Sequence, residues 1–153
     1  MSMFRRNFII STILICLFTV GLCGLSSAEG ADLFSDLSLS EISIKGHKLH
    51  IKGTSDLPPG SVLNFKWHFP SFNDKGNKVK IHVNNNRFFI KVDLPFKRKK
   101  HGVTGLFSLI FNPLIQTEKV KARVGYKGEK LTGAKVRKNS GVNFLEEIRI
   151  FNF

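Results

Sequence analysis

The chain has 153 residues, with 24 Lys+Arg against 11 Asp+Glu and a formal net charge of +13. Its two cysteines, Cys16 and Cys23, both lie in an apolar N-terminal stretch, which leaves the rest of the chain without a disulfide framework or thiol chemistry. A surface this basic is one that seeks polyanions, although net charge alone serves solubility equally well.

Arg5 and Arg6 precede an apolar run over residues 8–25, and Ser26-Ser27-Ala28 follow it. A charged start, an apolar middle and a small-residue exit define a secretory signal, with cleavage expected after Ala28. An uncleaved anchor is the alternative, since about 20 apolar residues span a bilayer. A lipid anchor on Cys23 would need small residues directly before it, and Leu22 fits that poorly. The mature chain, residues 29–153, would keep 22 basic against 11 acidic residues, a net charge of +11. Its size suffices for one self-contained core. The compartment expected is secreted or periplasmic.

Residues 29–38 are short, polar and acidic and read as a flexible leader. From Ser40 onward apolar residues recur at period two. Ile42 and Ile44 form the first such set, and Leu49 and Ile51 the second. Leu63, Phe65, Trp67 and Phe69 make the third, and Val79, Ile81 and Val83 the fourth. Then come Phe88, Ile90, Val92 and Leu94, then Phe107, Leu109 and Phe111, then Val120, Ala122 and Val124. The last strand is expected over residues 147–151. Strand side chains alternate between faces, so each segment has one apolar and one polar side. No helical period is evident after the signal. Leu57-Pro58-Pro59-Gly60 and Asn73-Asp74-Lys75-Gly76-Asn77 are loops, and Asn84-Asn85-Asn86 suits a tight hairpin between the strands that flank it. Short strands at regular spacing predict an all-β, antiparallel β-sandwich of seven to eight strands in a single domain over 39–153, with a small barrel as the alternative.

The series Gly53-Thr54-Ser55-Asp56-Leu57-Pro58-Pro59-Gly60-Ser61-Val62-Leu63 resembles the opening of small bacterial secreted immunoglobulin-like domains. Asn86-Arg87-Phe88, Gly105-Leu106-Phe107, Gln116 before Val120, and Gly128 with Leu131-Thr132-Gly133 extend the resemblance over residues 49 to 133. No cysteine pair brackets Trp67, so the disulfide of true immunoglobulin domains is missing. The resemblance implies a fold and a compartment; it implies no activity.

The chemistry offered is cationic. Lys78, Lys80, Lys91, Lys119, Lys121 and Arg123 all fall on the polar sides of expected strands, and strands sharing a sheet would display them together. Lys97-Arg98-Lys99-Lys100-His101 adds a concentrated patch between two strands. Such a run repels itself unless solvated or partnered. These residues are the candidate ligand-binding set. The expected partner is an anionic envelope component, lipid headgroup or polysaccharide, or an acidic protein. Peripheral membrane contact is compatible with that set, whereas intracellular nucleic acid is not compatible with export. His50, His68 and His82 would bind zinc only if their strands were neighbours, and their spacing matches no short metal motif. Glu146 and Glu147 would face opposite sides of a strand, which argues against an acid/base pair. No nucleophile elbow, zinc-protease motif or phosphate-cradling glycine loop occurs, so neither an enzyme nor a cofactor is expected. Phe72, Phe89 and Phe96 fall outside the core register and would suit an exposed apolar patch near the basic loop. The reading is therefore an exported, non-enzymatic binding module. The alternative is a structural subunit that pairs through an exposed strand edge.

Overall fold

A computed structural model describes residues 32–72, 76–94 and 102–153. The expected signal segment with its cleavage site and the basic run 97–101 lie outside these residues, as does Phe96. Eight strands occur among the described residues: β1 (Leu37–Lys45), β2 (Lys48–Ser55), β3 (Val62–His68), β4 (Asn77–His82), β5 (Arg87–Asp93), β6 (Thr104–Phe111), β7 (Val136–Asn139) and β8 (Val142–Asn152). One α-helix, α1 (Glu118–Val124), follows β6. All strand pairs are antiparallel. They make a three-stranded sheet in the order β1-β2-β5 and a five-stranded sheet in the order β4-β3-β6-β8-β7.

The alternating apolar residues become the buried sides of both sheets. Leu49, Ile51, Phe88 and Ile90 from one sheet join Leu63, Phe65, Phe107, Leu109, Phe111 and Leu145 from the other in a single core. Aromatic stacking organises its centre, with the Phe65 ring 5.5 Å from Trp67 and 6.0 Å from Phe107. The whole described core lies within residues 32–153.

The expected leader is shorter than read. Phe34 is buried, bridges to Leu131 and exchanges backbone hydrogen bonds with Lys130 and Thr132. The Asp56 carboxylate accepts from the Ser35 and Asp36 amides at 2.8 and 3.0 Å. β1 then begins at Leu37, ahead of Ser40. Its register shifts between Leu39 and Glu41, so the buried side moves from the odd positions Leu37 and Leu39 to the even positions Ile42 and Ile44. A bulge of this kind hides the first half of a strand from a period-two reading.

Three further expectations are corrected. First, the segment holding Val120, Ala122 and Val124 is helical. Val120 and Val124 are buried four residues apart, a spacing that satisfies a helix face as well as a strand, while Ala122 is exposed. Glu118 in the first turn and Gly125 at φ +90° at the end are the punctuation of a helix. Second, Asn85 and Asn86 adopt positive φ in a two-residue turn, closed by paired hydrogen bonds between Asn84 and Arg87. The turn does not grow into a β4–β5 hairpin. The Val83 amide goes to Ser61 and the Ser55 amide to Asn86, which draws the two strands into different sheets. Third, residues 136–152 form a hairpin, β7–β8, around Ser140 and Gly141, both at positive φ.

Gln116 clamps the β6–α1 connection to the start of β3. Its side-chain amide accepts from the Val62 amide at 2.7 Å and donates to the Val62 and Asn112 carbonyls at 2.9 and 2.8 Å. The buried side chain thereby extends the β3 ladder where no strand continues it.

Candidate functional site

The topology divides the expected lysine stripe among three places. Lys78 and Lys80 lie on β4, at the edge of the five-stranded sheet. Lys91 lies on β5 in the other sheet, opposite His50. Lys119, Lys121 and Arg123 lie on α1, so no strand face displays them. Two of these three are engaged: Lys121 pairs with Glu118 at 3.0 Å, and Arg123 with Asp32 at 2.7 Å. The single cationic sheet face expected from all six is therefore not formed, because strand order depends on pairings far apart in sequence.

A smaller cationic cluster takes its place. Antiparallel register sets Lys66 directly opposite Lys78 and Asn64 opposite Lys80. All three lysines are exposed, and none has a carboxylate partner among the described residues. Like charges directly opposed across a strand pair destabilise it. Lys66 was legible as the polar residue between Phe65 and Trp67, but its pairing with Lys78 required the register.

The face continues from β3 onto β6 and β8. Lys66 faces Ser108, and Ser108 faces Ile148. In the adjoining row His68 faces Leu106, and Leu106 faces Ile150. Leu106 is 41% exposed, Ile148 55% and Ile150 69%. The first row thus runs from cationic at the β4 edge to apolar at β8, and the second from the His68 imidazole on β3 to the same apolar end. A surface groove of about 530 Å³ lies at the cationic end, lined by Lys66, His68, Lys78, Leu106 and Ser108. Trp67 also lines it, and its buried indole N–H has no acceptor among the described residues. The acid on this face, Glu146, sits on β8 beside Ile110, and the Ser108 hydroxyl donates to it at 3.4 Å.

The outer face of the three-stranded sheet is arranged differently. Lys52 Nζ lies 2.7 Å from Glu41, and Asp93 accepts Lys48 at 3.1 Å and His47 at 3.5 Å. The hydrogen bond and charge of Lys52 hold Glu41 below the usual carboxylate range, and Lys48 does the same for Asp93. Phe89 stands exposed on this face, its ring edge-on to His50 at 5.7 Å. Phe72 packs against the core, so the two do not form the expected joint patch.

His50 lies in one sheet while His68 and His82 flank the other, which keeps the three imidazoles from converging. No group of three metal-ligating side chains occurs among the described residues. Glu146 and Glu147 do face opposite sides. Glu147 is buried and held by Arg149 at 2.7 Å and Lys135 at 3.2 Å. Lys135 also donates to the Leu37 carbonyl at 2.6 Å, so this triad ties β8 to β1.

Comparison of the chain with protein-family models, with curated proteins and with solved structures finds no match.

Proposed function

We propose that the mature chain is an exported, non-enzymatic binding module of immunoglobulin-like sandwich type that engages an anionic envelope component through a cationic surface. The observation that carries this reading is the cluster of Lys66, Lys78 and Lys80 on adjoining strands, which has no acidic partner among the described residues. Lysines opposed across a strand pair repel each other, and a bound anion relieves that repulsion. Lys97, Arg98, Lys99 and Lys100 would add to the attraction, at about 1 kcal/mol each near an anionic surface. The sandwich assignment draws on the two sheets with a shared core and on the resemblance carried by residues 49 to 133. Pairing through a strand edge is the weaker reading. The edges β4 and β7 of the five-stranded sheet carry Lys78, Lys80, Arg137 and Lys138, and the edges β1 and β5 of the other sheet carry Glu41, Lys45, Arg87, Lys91 and Asp93, charges that discourage edge-to-edge association.

The test is elution of residues 29–153 from an immobilised acidic polysaccharide along a salt gradient. Retention at low salt that fades as salt rises is expected, because screening shortens the reach of charge to about 8 Å at physiological ionic strength. Replacing Lys97, Arg98, Lys99 and Lys100 with Ser should bring elution earlier and flatten its salt dependence. Passage of the unaltered protein straight through at low salt, together with no binding to anionic vesicles, would overturn the reading.

A further inference from the structure

We infer that the outer face of the five-stranded sheet is a docking surface for the anionic phospholipids of a membrane. The inference rests on the binding role proposed above and names its site and ligand class. The argument starts from the order of residues across the sheet. One row reads Lys78, Lys66, Ser108, Ile148 from β4 to β8, and the next passes through His68, Leu106 and Ile150. Both rows begin with nitrogen donors and end in exposed branched aliphatics. Neighbouring strands are about 4.8 Å apart, so the change from cation to hydrocarbon takes about 14 Å.

A soluble polyanion such as an acidic polysaccharide would use the lysines and leave Leu106, Ile148 and Ile150 in water. A purely apolar partner would leave Lys66 and Lys78 opposed and uncompensated. An anionic lipid answers both halves. Its phosphate fits the groove between Lys66 and Lys78 and takes hydrogen bonds from their ammonium groups. Its glycerol and acyl portions cover the aliphatic end, where amphipathic surfaces bury apolar side chains at the headgroup boundary. Glu146 sits on β8, two strands from Lys66 and three from Lys78, and its carboxylate is engaged by the Ser108 hydroxyl at the rim of the groove. The exposed aliphatics also have a specificity consequence. Neutral lipids meet only the apolar half, and soluble anions only the cationic half.

The test is co-sedimentation of residues 29–153 with phosphatidylcholine vesicles made with or without phosphatidylglycerol. Lys66→Ser with Lys78→Ser should weaken retention on the anionic vesicles about thirtyfold. Ile148→Ser with Ile150→Ser should weaken it to a similar degree and abolish what survives at high salt. Both pairs are exposed, and circular dichroism would check that the variants fold. Lys48→Ser with Lys52→Ser, on the other sheet, should change retention less than about twofold. Unchanged retention in either of the first two variants would overturn the inference. So would retention on acidic polysaccharide without any on anionic vesicles, an outcome that leaves the broader binding role standing. Absence of both would remove that role as well.

Discussion

The outer faces of the two sheets hold similar numbers of lysines and differ in whether acids stand among them. On the three-stranded sheet Lys52 is matched by Glu41 and Lys48 by Asp93, while Lys45 and Lys91 have no carboxylate partner among the described residues. On the five-stranded sheet Lys66, Lys78 and Lys80 stand together with no such partner among the described residues. The difference is written in the register. Glu41 falls opposite Lys52, and Lys48, though opposite Lys45 on one side, has Asp93 on the other; Lys66 falls opposite Lys78 with no acid paired to either among the described residues. Basic composition therefore does not by itself make a binding face; the placement of the few acids decides which cations remain available. The paired face also lacks the contiguous aliphatic stripe, having Phe89 as its large exposed apolar side chain.

The contrast exists only while both sheets keep register, and the largest expected effect comes from breaking one. Gly53 pairs with Leu39 on one side and Phe88 on the other, and a Cβ there would run into the Phe88 ring and the Ser38 carbonyl. Gly53→Ala should lower the melting temperature by on the order of 10 °C, followed by thermal circular dichroism. A shift of only a degree or two would show that the Phe88 ring swings aside without loss. A smaller effect should follow from erasing the difference between the faces. Glu41→Gln with Asp93→Asn frees Lys48 and Lys52, and retention on anionic vesicles should rise about threefold with little change in stability. No rise would mean that free lysines without an aliphatic neighbour do not suffice, which sharpens the contrast. The smallest effect is a pH dependence on the paired face. Partial desolvation, and then Lys91, Lys45 and Lys48, hold the His50 imidazole below its ordinary pKa. The unfolded chain then takes up its proton first, so stability is lost as pH falls below about 6.5. His50→Gln should flatten this part of a melting-temperature profile. The carboxylates Glu41, Asp93 and Glu118, held low chiefly by hydrogen bonds from Lys52, Lys48 and Lys121, act in the same direction only near pH 4 and below.

Alternation made the buried sides of β2, β3, β5 and β6 legible from residues alone, because a strand with one dry face must repeat every second residue. Legibility ended where two periods coincide or one is interrupted. Val120 and Val124 fit helix and strand alike, and the flanking Glu118 and Gly125 were the signal that separated them. The bulge beyond Leu39 concealed the start of β1. Asn139-Ser140-Gly141 was a turn signal for β7 that the glycine-rich stretch before it obscured. Of the candidate site, Lys78 and Lys80 were visible as polar strand residues. Lys66, His68, Leu106, Ile148 and Ile150 were not visible as their companions, because their association depends on β3 lying between β4 and β6.

That strand order also sets the tempo of folding. Adjacent hairpins join β1 to β2, β3 to β4 and β7 to β8, but the remaining ladders match Leu49 with Val92, Leu63 with Phe111 and Phe111 with Leu145. Each closes a long loop before its contacts reward the closure, which places such topologies in the millisecond-to-second range. β8, the last strand in chain order, is also an interior strand, seated between β6 and β7. A chain that emerges from its N-terminal end would hold the β6 edge, with Phe107, Leu109 and Phe111 beside it, unzipped until β8 arrives.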